Sequence, residues 1–281
     1  MGLVASPAQP APASRTGVAE RVLALLAAFD EEHRELGLAV LARRAGLPAA
    51  TTHRLVGQLT AWGALEHTES GGYRIGLRLW EVGCLAPRSA GLRRAALPFM
   101  EDLYETTHEN VQLAVRDGFD TLYIELISGR SAVLVRTTVG SRWPLHATGV
   151  GLVLLAHAPT AVQERVFAAP LARFSHHTVT DPARLRATLA EVRRADAAVS
   201  DRQITDDAVS VAAPIRDASG AVVAALSLVV PATANAAPLI PAVRMAARGS
   251  SRALGYGAGH ADFHPVEGPL AAEGRADRTS A

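Results

Sequence analysis

The side chains best suited to chemistry in this chain are hydrogen-bond donors gathered in one stretch. Arg43, Arg44, Thr51, Thr52, Arg54 and Gln58 lie between Gly37 and Leu65, which holds three arginines and one histidine and no carboxylate. A guanidinium can grip a guanine edge through two bonds or hold a phosphate, and threonine and glutamine can bond either. A base contact would discriminate sequence by about 1–3 kcal/mol; a phosphate contact would serve every sequence alike. Arg43 and Arg44 suit positioning on the backbone, and Arg54 and Thr51 suit the groove. Thr52 has two readings, since that position in a helix pair also packs inward. His53 reads as surface.

Those donors need two helices at a fixed angle, and the local pattern supplies them. Leu38, Leu41, Ala42 and Ala45 fall at helical spacing. Gly46 can take the left-handed conformation that ends a helix, and Pro48 fits the start of the next. A second helix from about Ala49 puts Leu55, Leu59 and Trp62 on its apolar side. This is a helix-turn-helix. Upstream, Glu20 to Phe29 reads as an amphipathic helix that backs the pair. Downstream, Leu65 to Thr68 and Tyr73 to Ile75 flank Glu69-Ser70-Gly71-Gly72, a hairpin signal. Three helices and a hairpin make a winged helix, with Arg74 on or beside the wing.

The rest of the chain divides accordingly. Residues 1–16 are an expected disordered arm, 17–76 the winged helix-turn-helix, 77–90 a linker helix, 91–255 an effector-binding domain and 256–281 a disordered tail. Leu92 to His108 reads as a helix that Pro98 should kink or start nearer Leu97. Val111 to Arg116, Thr121 to Ile127 and Ala132 to Val139 read as an antiparallel meander. Thr148 should cap a helix through Ala156, and Asp181 another over Pro182 to Ala195. Strands Ala208 to Ile215 and Ala221 to Val230 and a helix from about Pro238 to Leu254 complete an α+β fold.

A cavity is expected on this second sheet. Along Ala221 to Val230 the face carrying Ala225 and Ser227 is smaller than the face carrying Leu226 and Leu228, and the partner strand places Ser210 and Ala212 together. Small side chains on adjacent strands leave room. Ser210 and Ser227 would put hydroxyls there, to meet a polar ligand, a carbonyl or water. At Thr148-Gly149-Val150-Gly151 a helix start offers backbone N–H groups that suit a carboxylate, although the glycines serve helix-on-sheet packing equally well. Arg136 and Arg142 could clamp an acid instead.

Composition removes several other classes. The net charge of +1 does not mark a nucleic-acid binder, and all 28 basic residues are arginine, which points to genome composition as much as to function. One cysteine, Cys84, excludes a disulfide framework or thiolate cluster and fits a reducing cytoplasm. No apolar run spans a membrane. The chain lacks a Gly-x-Ser-x-Gly elbow, a lysine-bearing phosphate loop and metal-ligand spacings, so no catalytic residue, metal or cofactor is expected. His176-His177 diverge as neighbours, and Asp206-Asp207 suits a solvated turn.

The words GLPAATTHRLVGQL, GGYRIGLRLWEVG, GSRWPLHATGVGLVLLA and VAAPIRDASGAVVAALSLVVP, in that order, resemble the isocitrate lyase regulator (IclR) family of bacterial transcription factors over about residues 17–255. The resemblance implies a homodimer or tetramer that binds double-stranded DNA. It also implies a GAF-like C-terminal domain for a small, often carboxylate-bearing effector. It assigns Thr51, Thr52 and Arg54 to DNA, and Ser200 and Asp201 to the far side of the pocket. The chain departs from the family at Leu152, where lysine is usual, and at Ala195-Asp196, where glycine and an aromatic are usual. The contrasting reading is a winged helix that meets protein, with a second domain that only dimerises.

Overall fold

The computed structural model describes residues 17–257 apart from 31, 130–132 and 136, and within 87–90 the backbone alone. The expected arm, Arg136 and the tail beyond Gly257 lie outside those residues. The chain divides into two compact units between Ala90 and Gly91.

In the first unit, α1 (Val18–Leu26), α2 (Leu38–Ala45) and α3 (Ala49–Trp62) close around Leu25, Leu41 and Leu55, all fully buried. Gly46 ends α2 with φ +65°, a conformation that costs glycine little. Pro48 then precedes α3. β2 (Leu65–His67) and β3 (Tyr73–Ile75) form the hairpin, and β1 (Glu35–Leu36) joins on the far side of β3, pairing Glu35 with Arg74. A two-residue strand has no periodicity to read, so β1 is an addition to the sequence expectation. α4 (Leu77–Gly83) follows, and it buries none of its residues.

The second unit is built on six antiparallel strands in the order β6-β5-β4-β9-β8-β7. They are β4 (Asn110–Asp117), β5 (Asp120–Ile127), β6 (Arg142–Pro144), β7 (Ala198–Asp201), β8 (Ala208–Arg216) and β9 (Val222–Pro231). One face packs Leu226, Leu228, Val211 and Ile215 against α5 (Pro87–Thr107) and α9 (Ile240–Ala253). α5 neither starts at Leu97 nor stops at Pro98; it runs through. Pro98 forfeits a backbone bond, but the buried stripe Leu92, Ala96, Met100 and Leu103 holds both sides of it on one sheet face. Phe99 seats against Gly249 of α9, where a β-carbon would collide with the ring.

The opposite face carries Ala114, Ala212 and Ala225 and is covered by α6 (Gly149–Ala156). Every residue of α6 is buried, as a helix apolar all round requires. Thr148 Oγ accepts from Gly151 N at 3.0 Å and caps it. α7 (Thr160–Ala168) and α8 (Pro182–Ala195) pack outside, α8 capped by Asp181. Two expectations are corrected. The run from Ala132 to Val139 forms no strand among its described residues; the sheet edge is β6, while Leu134, Val135 and Thr137 line a cavity. Val222 changes faces, because a bulge at Val223 pairs Arg216 with Val222 directly after Ile215 with Ala224.

Candidate DNA interface and effector pocket

α3 presents His53, Arg54 and Gln58 to solvent, and Thr51 is half-buried. Thr52 resolves its two readings by burial. It is fully enclosed, and its hydroxyl donates to the Pro48 carbonyl at 3.1 Å. Arg43 is exposed on the last turn of α2. Its neighbour is occupied within the unit: Arg44 Nε donates to the Ala28 carbonyl at 2.8 Å, and its guanidinium pairs with Asp30. Asp30 also accepts from His33. Burial alone would raise the Asp30 pKa, but the His33 hydrogen bond and the Arg44 charge outweigh it and hold the carboxyl low.

The wing is tied in a similar way. Arg74 pairs with Glu66 across the hairpin at 3.0 Å and stays largely exposed. Glu66 also accepts the Leu77 N–H at the start of α4, at 3.1 Å. That bond, then Arg74, pulls its pKa down. Glu35 reaches the turn, accepting from Ser70 and Thr68, which lower its pKa in that order.

The second unit holds a cavity of ≈ 70 Å³ between the sheet and the start of α6. A single water needs roughly 10–15 Å³ by this measure, so there is room for a small molecule. Of the residues offered to an effector from the sequence, Gly149, Ser200 and Ser210 line it. A β-carbon on Gly149 would lie 2.5 Å from Ser210 Oγ. Ser200 donates to the Ala147 carbonyl at 2.8 Å and so faces the cavity with lone pairs.

The other expected residues sit elsewhere. The Val150 side chain belongs to the core beneath α6, so only its backbone is at the helix start. Asp201 is exposed and paired with Arg202, whose hydrogen bond lowers its pKa; as the last residue of β7 it points away from the inward Ser200. Ser227 is fully buried behind the cavity wall, 3.4 Å from Gln112 Oε1. Arg142 pairs with Asp117 on the surface. Around His176-His177, no group of three metal-ligating side chains occurs among the described residues.

Six polar or aromatic contributors were not anticipated: Gln112, Tyr123, Thr137, Trp143, Gln203 and Thr205. Gln112 left a trace, as a polar residue at an alternate position of an apolar strand. Burial pushes the Tyr123 hydroxyl pKa above the tyrosine range, with hydrogen bonds to Thr148 and Thr121 opposing. Trp143 stacks obliquely on Phe174 at 5.7 Å and makes an aromatic wall. Gln203 lies in the β7–β8 connection and has no local signature. No described residue lining the cavity carries a charge.

A winged helix with exposed donors on α3, joined in one chain to a sheet domain that holds a cavity, fits a DNA-binding transcriptional regulator. The IclR helix-turn-helix domain matches residues 18–69, and the bacterial transcriptional regulator IclR C-terminal domain matches residues 84–252. The chain belongs to the IclR family of bacterial transcriptional regulators. It is 30% identical to the HTH-type transcriptional regulator XynR of Escherichia coli over 84% of this chain and 96% of that one. An IclR homolog from Microbacterium hydrocarbonoxydans, crystallised with 4-hydroxybenzoate, superposes with a TM-score of 0.82 at 37% identity, covering 85% of this chain and 99% of that one. The E. coli transcriptional repressor IclR is 29% identical over 65% of this chain and 68% of its own length. Among the described residues no helix is long and apolar enough to cross a membrane.

Proposed function

We propose that this regulator binds a small carboxylate-bearing effector in the α6 cavity and that occupancy changes its affinity for double-stranded DNA. The observation that carries the reading is the helix start at Gly149. The first-turn N–H groups of Gly149 and Val150 have no intrahelical acceptor, the helix end favours negative charge, and the lack of a side chain at Gly149 lets a ligand reach them. The 37%-identical homolog that holds 4-hydroxybenzoate supports a ligand of this class. Arg54, Thr51 and Gln58 are assigned to the major groove, Arg43 and Arg74 to the phosphates.

The working unit is a cytoplasmic homo-oligomer. Leu77, Trp80 and Leu85 in and beside α4 are 69%, 69% and 79% exposed, a solvent-facing apolar patch that a second copy would cover.

The test is footprinting of the full chain on fragments of its source genome, with and without 4-hydroxybenzoate. Expected are protection of discrete sites that weakens steeply with salt and a shift in half-saturation on adding the acid. Different affinity of the two states for the ligand is the only source of such a shift. Equal affinity for all fragments and random duplex would overturn the DNA reading. Binding of the acid with no change in footprint would overturn the regulatory one.

A further inference from the structure

The Gln203 amide is held from outside the cavity. Val179 N–H donates to Gln203 Oε1 at 3.0 Å, and Thr178 Oγ donates to the Gln203 carbonyl at 2.6 Å. Thr178 is itself fixed, accepting from the backbone N–H groups of Phe174 and Ser175 at 3.0 and 2.9 Å. Ser175 Oγ donates to the Arg202 carbonyl at 2.6 Å and closes the latch. A backbone N–H can only donate, so the amide oxygen must face Val179, and turning the amide over would set N–H against N–H. The nitrogen is the edge left for the cavity that Gln203 lines. Gln203 therefore brings donors and no acceptor.

This inference rests on the effector reading above and deepens it. We propose that Gln203 is a specificity-determining residue: its locked amide donates to an oxygen of the effector's carboxylate, alongside the first turn of α6, and disfavours ligands that present N–H at that place. A buried donor pair facing another donor leaves both unsatisfied, which is how a polar site rejects a near-isostere. Gln112 lines the same cavity and accepts from Ser227 at 3.4 Å, but a hydroxyl can donate or accept, so this contact does not fix its amide as Val179 fixes that of Gln203. Ser200, whose proton is already given to Ala147, is turned the other way.

Calorimetric titration of the full chain with 4-hydroxybenzoate and 4-hydroxybenzamide tests the assignment. The unaltered protein should prefer the acid at least tenfold. Gln203→Glu keeps an oxygen for Val179 N–H, so the latch and the melting temperature should persist. It sets a carboxylate where the donors were, so the acid should lose at least tenfold and the preference should shrink or invert. Should Gln203→Glu fail to fold, Gln203→Met removes the donors at similar length, and the acid-to-amide ratio should fall toward one. Retention of the ratio in a folded variant overturns the role of Gln203 and leaves the effector reading intact. Binding of neither ligand by the unaltered protein overturns the effector reading, and this inference with it.

Discussion

Arg44 Nε donates to the carbonyl of Ala28 at 2.8 Å, which ties the last turn of α2 to the chain just beyond α1. The guanidinium that sequence spacing offered to the DNA backbone thus also braces α2 against the end of α1. Arg44→Ala should lower the stability of the first unit by about 1–2 kcal/mol, since it removes a hydrogen bond and a half-exposed ion pair. Arg54→Ala should leave thermal melting unchanged and reduce DNA affinity at least tenfold. Melting curves beside binding isotherms at two salt concentrations separate the two. A phosphate role for Arg54 would lower the salt slope by about one, and a base role would relax sequence preference.

Thr52→Val should be nearly silent for DNA. The Pro48 carbonyl keeps its bond from Thr52 N at 2.9 Å when the hydroxyl is lost, so the expected change in stability is about 1 kcal/mol or less. Thr51→Ala should weaken DNA binding with no change in melting. A large affinity loss for Thr52→Val alone would place that side chain in the groove after all.

Gly149→Ala should both strain the fold and block the effector. The new methyl would lie 2.5 Å from Ser210 Oγ and 3.2 Å from the Ser210 carbonyl oxygen, and overpacking of this kind costs about 1–3 kcal/mol. Ser210→Ala removes the nearer atom, so the double variant should recover at least 0.5 kcal/mol or so over the single one, a coupling that a denaturant series on all four proteins would measure. Neither the single Gly149→Ala variant nor the double one should regain binding of 4-hydroxybenzoate.

Acid should loosen the wing before neutral-pH stresses do. Glu66 and Glu35 have folded pKa values below the free glutamate's 4.5, so the unfolded chain takes up their protons first. Their stabilisation is complete above about 4.5 and is lost as the pH falls through the lower folded values. Melting of the first unit should therefore drop as the pH falls below about 4.5, and Glu66→Gln should flatten that drop. An unchanged profile in Glu66→Gln would remove Glu66 from this account.

The exposed face of α4 gives an assembly prediction. Leu77→Ser together with Trp80→Ser should lower the sedimenting mass without lowering the melting temperature of either unit, since neither side chain belongs to a core. An unaltered mass would assign assembly to another surface.

Elements were legible in the sequence where apolar periodicity and caps agreed, as at Gly46-Pro48, Thr148 and Asp181. Ala132 to Val139 misled because its β-branched residues satisfy strand propensity while Leu134 is 85% exposed beside the cavity; propensity does not say which segment wins a place in a sheet. Of the two readings of Pro98, a start nearer Leu97 fails, since burial of α5 carries the helix through the proline. Of the site, Gly149, Ser200 and Ser210 were readable from helix start, family words and face size. Gln203 and Val179 were not. Their pairing joins residues 24 apart, and neither flank carries a trace of the other.

Among the described residues none that lines the cavity carries a charge, and this bears on how the molecule would answer its surroundings. Under the proposed reading, a site that holds an anion by fixed dipoles releases no condensed counterions when filled, so in the DNA-free protein its occupancy should depend only weakly on ionic strength. The duplex-binding unit works by displacing counterions and should track ionic strength closely. The two units would thus sense separate solution variables directly, and the coupling proposed between them would be the route by which salt reaches the effector site once DNA is bound.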